Sequence, residues 1–258
     1  MNLLSGLNSE FFGLDIGSTA VRLVQLHGAA TGPKSLQRYA YVPLESSIAL
    51  SDSKGDQHKL AQVISQLVNQ AHVTTKNVAV GVPSSRVFTT VADVDRMSPS
   101  EMAKAIPLQA DALVPTPLNE SKIDWSLLGD SPLNKTQQEI LLTSVPNKFV
   151  EERLDMLESI GLNVIAFEPD NLAMARALAA PDSAGTQLIL DIGHRATDLV
   201  IVQAGAPRLT RSIPTGLEAI IRSAGQSLNV DQKQAEQFVF KFGLSKEKLE
   251  GQVFQAIS

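Results

Sequence analysis

The sequence predicts an α/β protein built from two copies of a strand–strand–strand–helix unit, with a small subdomain inserted in the first copy and the second copy incomplete. Three observations carry this reading. GLDIGSTAVRLVQL at 13–26 returns as LILDIGHRATDLVIVQAGAP at 188–207, with Asp15 and Asp191 aligned 176 positions apart and no gap through the turn. Each copy opens a run of strand-like segments that gives way to helical periodicity. Between the copies, residues 84–137 break the pattern with a strand, a proline-bounded helix and a polar loop.

Residues 11–17, 20–27 and 35–43 read as strands, because β-branched and aromatic residues are separated by Gly/Ser/Thr and Gly-Pro turns. Within 58–71, Leu60, Val63, Ile64, Leu67, Val68 and Ala71 make the i, i+3, i+4, i+7 stripe of an amphipathic helix. Asn77–Val82 is a short buried strand closed by Pro83. The first stretch is therefore βββαβ, an α/β layout with one face of the sheet covered. Arg86–Val94 alternates like a strand. Ser98-Pro99-Ser100-Glu101 fits a capping box with Pro at the first helical position, and the prolines of VPTP (114–117) stop that helix. Lys122–Leu128 is another strand, and GDSPLNKTQQ (129–138) a polar loop.

At Glu139–Val145 an apolar strand pattern returns. Asn147 is the expected N-cap of a helix with Val150, Leu154 and Leu157 on one face, ended by Gly161. Asn163–Phe167 reads as a strand, Asp170–Ala180 as a helix, and PDSAG (181–185) as a linker. A strand pair (187–203), a third strand (207–213), a helix from about Gly216 and another over 231–242 with Gly243 as its cap complete the chain. The expected division is 1–83 with 138–184 as a first subdomain and 84–137 as the insertion. Residues 185–225 then form a partial second subdomain, and 226–258 begin a last one.

Composition narrows the function. Net charge is −5 with no basic blocks, which speaks against a nucleic-acid partner. Cysteine is absent, so disulfides, thiol catalysis and cysteine-ligated metals are excluded, in keeping with a cytoplasmic address. MNLLSGLNSEFFG lacks the basic region and long apolar core of a signal peptide. No run approaches the ~20 apolar residues of a membrane span, so no direct membrane insertion is expected. The four histidines show no H-x-x-x-H spacing, and Walker-type GK[ST], G-x-G-x-x-G and G-x-S-x-G motifs are missing.

The duplicated turn carries the chemistry. Glycine allows positive φ and close backbone approach, so N–H groups can point at an anion. Ser18 and Thr19 add hydroxyl donors. Asp15 and Asp191, one per copy, are placed to hold a hydrated Mg²⁺, an ion that keeps several of its waters. Two such hairpins would clamp a triphosphate; plain duplication of a hairpin is the alternative.

These paired DIG turns resemble the two phosphate motifs of the actin/Hsp70/sugar-kinase ATPase superfamily. The stretch RVFTTVADVDRMSPSEMAKAIPLQADALVPTPLNESKIDWSLLG, followed by ILLTSVP and GLNVIAFEPDNLAMARAL, resembles the PilM family of type IV pilus assembly. The similarity spans essentially the whole chain. It implies an actin-like fold, ribonuclease H-like βββαβ repeats with an FtsA/PilM-type insertion. It implies ATP and Mg²⁺ as cofactors, a weak ATPase at most, and a nucleotide-binding scaffold at the cytoplasmic side of the inner membrane. The implied partner is the N-terminal tail of a PilN-type inner-membrane protein, and self-association is a further property of such folds. An FtsA-like division protein and a nucleotide-free platform like the cytoplasmic domain of GspL are the other readings.

Carried over residue by residue, the resemblance makes Asp15, Gly17, Ser18 and Thr19 the first phosphate loop, and Asp191, Gly193, His194 and Thr197 the second. Arg22 stands where relatives place a lysine facing the phosphates; pairing with a neighbouring charge is the other role open to it. His194 and Arg195 are bulky for the tip, and either contact a phosphate or crowd it. Glu168 opens the connecting helix, where relatives keep a residue that orients water; helix-start electrostatics is the simpler role. The partner groove is expected at Val80, Val82, Pro83 and Val87, between a sheet edge and the insertion's helix 99–113 and strand 86–94. Asn2-Leu3-Leu4 resembles the core of the partner tail. No Gly-Gly adenosine motif follows residue 242, so ATP binding by these 258 residues is expected to be weak or absent.

Overall fold

The computed structural model describes residues 10–28, 32–49, 51–180 and 185–258. They fall into two compact units: one runs up to Ile189 and includes Leu199–Arg211, and the other joins Leu190–Asp198 to Ser212–Ser258.

The first unit is built on a five-stranded sheet. β1 (Phe12–Ile16), β2 (Ala20–His27), β3 (Ser35–Pro43), β4 (Asn77–Val82) and β8 (Asn163–Pro169) lie in the order β3-β2-β1-β4-β8. β1–β2 and β2–β3 are antiparallel, while β4 runs parallel to both β1 and β8. Alternation on β1 sends Phe12, Leu14 and Ile16 inward, where they meet Leu60, Ile64 and Leu67 of α2 (Lys54–Gln70) and Leu157 of α4 (Asn147–Ser159). The one turn of α1 (Ser46–Ala49) adds Ala49 to this core. Gln25 is fully buried among apolar neighbours and is satisfied by Thr74, donating 2.5 Å to its hydroxyl and accepting 3.2 Å from its N–H.

α2 begins four residues before the expected 58, because its first turn is polar and carries no apolar periodicity. Ser53 caps it through the Asp56 N–H at 3.2 Å. Hydrogen bonds from the Ser51 and Ser53 hydroxyls, with the Lys59 ammonium beside them, hold the Asp56 carboxyl down at about 2.

The insertion has its own core. β5 (Phe88–Asp95), β6 (Ser121–Asp130) and β7 (Gln137–Pro146) form a sheet in the order β5-β7-β6, covered by α3 (Pro99–Ala110) through Met102, Ile106 and Ala110 against Val94, Ile140 and Leu142. β7 is thus the central strand of the inserted sheet, paired with β5 and β6 along its length. The expected boundary at 137 falls at the start of this strand, and the inserted sheet runs on to Pro146. An apolar strand pattern reports burial on both faces and does not say in which sheet.

Two local expectations also shift. α3 ends at Ala110 rather than near the prolines, and carries Pro107 inside it. Asn147 is the first helical residue of α4 rather than its cap, because its side chain is used elsewhere, donating 2.8 Å to the Asn119 carbonyl.

The second copy repeats the first. β9 (Thr186–Ile192), β10 (Thr197–Gln203) and β11 (Ala206–Ile213) lie in the order β11-β10-β9, as β1–β3 do. Val200 and Val202 pack with Ala175 of α5 (Asp170–Leu178). In the second unit, α6 (Leu217–Leu228), α7 (Gln232–Phe242) and α8 (Gln252–Ile257) close on Ile221, Ala224, Ala235 and Ala256. Asp231 caps α7 by accepting from the Gln234 N–H at 2.8 Å, and Gly243 ends it at φ +49°. Among the described residues no helix is long and apolar enough to cross a membrane.

Candidate functional site

The two DIG turns have the same backbone geometry. The Gly17 N–H donates to the Ala20 carbonyl at 3.0 Å, and the Gly193 N–H donates to the Ala196 carbonyl at 2.9 Å. Neither glycine has a positive φ. Close approach favours the residue: a Cβ on Gly17 would lie 3.1 Å from the Ala20 oxygen, and one on Gly193 would lie 2.9 Å from the Ala196 oxygen. Both glycine N–H groups are therefore spent inside the hairpin. The anion-facing donors expected of them fall instead to the next residues along each tip.

The first tip keeps such donors. Ser18 and Thr19 use their carbonyls to hold the segment after β3, accepting from the Ser46 hydroxyl at 2.9 Å and the Leu44 N–H at 2.8 Å. Their N–H groups lie outside the ladder. Asp15 and Arg22 are cross-strand neighbours, joined at 2.9 Å between Arg22 Nη1 and Asp15 Oδ2. Their side chains are 44% and 53% exposed, so solvent screens the pair and the second carboxylate oxygen stays open. Of the two roles open to Arg22, the geometry is that of a partner to Asp15.

The second tip is tied down. The Gly193 and His194 carbonyls accept the Leu217 and Glu218 N–H groups at 2.9 and 2.8 Å, so the loop occupies the start of α6. Gly216 makes this possible, since a Cβ there would lie 2.5 Å from the Gly193 oxygen and 2.7 Å from that of His194. The Thr197 hydroxyl donates to the Thr215 carbonyl at 2.7 Å. Arg195 pairs with Glu218 at 3.7 Å, and Glu218 also meets Arg222 at 3.2 Å. Asp191 is exposed at the end of β9, and His194 is half-buried. Sequence reasoning misses Gly216 as part of this site; a glycine directly before a helix, following Thr215, is the available signal.

Glu168 does not open a helix. It lies in β8 with its side chain 8% exposed, and forms a bidentate ion pair with Arg176 two turns into α5, with Arg176 Nη2 at 2.6 Å from its Oε2. This pair makes Glu168 a fixed link between strand and helix.

The expected groove also needs correction. β4 is an interior strand between β1 and β8, and Val80 and Val82 are 1% exposed, so neither lines a sheet edge. Pro83 and Val87 are half-buried and lead into β5, which is an edge of the inserted sheet. The Asn2-Leu3-Leu4 resemblance lies outside the described residues, as do residues 181–184 of the expected linker.

Among the described residues no three His, Asp or Glu side chains are grouped to hold a metal directly. A single carboxylate instead suits an ion held through its waters. Asp15, with one oxygen open and the Ser18 and Thr19 N–H groups beside it, fits a magnesium-bound phosphate. At the second tip the Thr197 hydroxyl is already donated to the Thr215 carbonyl, so the His194 and Arg195 N–H groups are the donors left there.

Residues 13–253 match the family described as Type IV pilus assembly protein PilM. Among solved structures, the chain is similar to the PilM-PilN type IV pilus biogenesis complex, with a TM-score of 0.78 and 23% identity, covering 97% of this chain and 73% of that one. It is also similar to the ethanolamine utilization protein EutJ from Carboxydothermus hydrogenoformans, with a TM-score of 0.54 and 14% identity, covering 97% and 66%. The fold is that of the actin-like ATPases, as the repeated turn implied.

Proposed function

The chain belongs to the PilM family of type IV pilus assembly proteins, and from that premise we propose that it is an actin-like scaffold recruiting the N-terminal tail of a PilN-type inner-membrane protein. The observation that carries the reading is the likeness, over 97% of this chain, to a PilM-PilN complex. Such a role would hold the protein at the cytoplasmic face of the membrane through its partner.

The tail would be received where the first sheet hands over to the insertion. Pro83 and Val87 lead into β5, whose outer edge has unpaired backbone groups to offer an extended peptide. The test is titration of a labelled PilN-type tail peptide against the chain, and against a version with residues 84–146 replaced by a short linker. The excision must reach 146, since a cut at 137 would strand β7 without its neighbours. Saturable binding by the first protein and none by the second is expected. Equal binding by both would place the partner site elsewhere.

Nucleotide is the second element of the proposal. Asp15 with Ser18 and Thr19 would hold a magnesium-bound phosphate at the first turn, and Asp191 with the tip at Gly193, His194 and Thr197 would meet phosphate at the second. Bound Mg²⁺ would neutralise phosphate charge. Arg22 orients Asp15, and Glu168, neutralised by Arg176, holds α5 against β8 rather than activating water. Binding without efficient hydrolysis is the behaviour these residues favour.

A further inference from the structure

The ten arginines of the chain separate into three groups. Arg22, Arg96, Arg176, Arg195, Arg208 and Arg222 pair with carboxylates. Arg38 and Arg211 donate to backbone carbonyls. Only Arg86 and Arg153 have neither kind of partner among the described residues, and they converge on one ring. Their guanidinium carbons lie 5.9 and 5.4 Å from the centre of Phe149. Arg86 ends the short 3₁₀ turn Ser84–Arg86 that follows β4, and Phe149 and Arg153 lie on the first turns of α4.

Two cations on one aromatic ring repel each other, and the ring recovers only part of that cost. Burial pushes the Arg153 guanidinium below the usual arginine value; Asp52 opposes this, Arg86 adds to it, and Glu152 opposes it. Neither carboxylate comes within 4 Å of it, and Glu152 is engaged by Lys148 at 3.8 Å. Arg153 Nη1 is buried with no hydrogen-bond partner. A donor in that position is satisfied by an acceptor arriving from outside.

We propose that Arg86, Phe149 and Arg153 form a receptor for a carboxylate on a docking protein segment. The guanidinium forks match a planar carboxylate, and the ring covers its apolar side. Lys148, the lysine beside Phe149, is engaged by Glu152, which leaves the two guanidinium forks as the charged donors at the ring. Arg86 lies between Pro83 and Val87, so the receptor adjoins the site proposed for the tail, but its test uses small anions and can fail or succeed separately from PilN binding.

Acetate, phosphate and chloride are titrated into the ¹⁵N-labelled chain at constant ionic strength, following the arginine Nε–Hε signals. Saturable shifts of the Arg86 and Arg153 signals by acetate are expected, with affinity falling at least tenfold in both Arg153→Met and Arg86→Ala. Arg86 is exposed, so its variant keeps the fold and carries the test should Arg153→Met not. Equal response to chloride, or a response surviving in both variants, overturns the proposal. Tighter binding of phosphate overturns the carboxylate assignment. A response seen only in Asp52→Asn shows that Asp52 fills the site itself, and likewise overturns it.

Discussion

Gly216→Ala isolates the coupling between the second DIG turn and α6. The native backbone there is extended, at φ −143° and ψ −162°, which any residue adopts, so the substitution carries no dihedral cost. Its cost is steric. The new Cβ would meet the Gly193 oxygen at 2.5 Å, the His194 oxygen at 2.7 Å and the His194 carbonyl carbon at 2.8 Å. All three are backbone atoms, so no side chain can swing away, and the turn itself must move. That displacement breaks or stretches the 2.9 and 2.8 Å bonds from the Leu217 and Glu218 N–H groups.

Two such bonds at about 1 kcal/mol each, with overpacking strain of about 1–3 kcal/mol only partly relieved by the movement, give about 3 kcal/mol. At roughly 2–4 °C per kcal/mol for a chain of this size, the Tm falls by about 6–12 °C. Thermal unfolding followed by circular dichroism reads the loss. Hydrogen exchange at the Leu217 and Glu218 amides should show lost protection there first. Gly55→Ala is the control of opposite sign, since nothing lies within 4 Å of its Cβ position and the substitution should stabilise by about 0.5 kcal/mol. A Gly216→Ala variant within about 0.5 kcal/mol of the parent chain, below every term in the sum, refutes the reasoning.

Arg176→Met leaves the Glu168 carboxylate nearly buried and alone; because Arg176 is itself 37% exposed, the loss should be at the low end for a broken pair, about 3 kcal/mol by urea unfolding. Arg176→Met with Glu168→Gln should recover part of it, and recovery of none would show that the pair does not link β8 to α5. Asp15→Ala should weaken Mg²⁺-dependent nucleotide binding without lowering the Tm, as measured by calorimetry with and without Mg²⁺; unchanged affinity on replacing both Asp15 and Asp191 would remove the phosphate role from the turns. Ser98→Ala removes the Oγ that accepts from the Glu101 N–H at 3.4 Å and donates to the Glu101 carboxylate at 2.7 Å, leaving the Ser98 N–H bond to that carboxylate at 2.8 Å, and should lower the Tm by about 2–4 °C at neutral pH. Those bonds hold the Glu101 carboxyl below its usual range. Its contribution is therefore present above the unfolded value and lost as pH falls through the folded one, so the gap between parent and variant should narrow in acid.

What could be read in the sequence divides along a physical line. Strand alternation and helix stripes are local, so β1–β3, β9–β11, the stripe of α2 and the capping box of α3 were all legible from neighbouring residues. Pairing across the fold is not local. β7 looks the same whether it lies between β5 and β6 or in the first sheet, and Val80 carries no mark that β4 is interior. Arg176 stands eight positions from Glu168, and Arg153 stands 67 from Arg86, spacings no periodicity selects. The DIG turn lies between these cases. Its glycines mark where a Cβ has no room, which made the repeat visible, but the atoms that act there are backbone N–H and carbonyl groups common to every residue. Their fate is set by the segment downstream of each hairpin. Leu44 and Ser46 reach the first tip through its carbonyls and leave the Ser18 and Thr19 N–H groups outward. Gly216 lets α6 close onto the carbonyls of the second tip, while Thr215 takes up the Thr197 hydroxyl. One turn, copied with its register intact, thus holds a different downstream segment through its carbonyls in each copy, the stretch at Leu44 and Ser46 in the first and the start of α6 in the second.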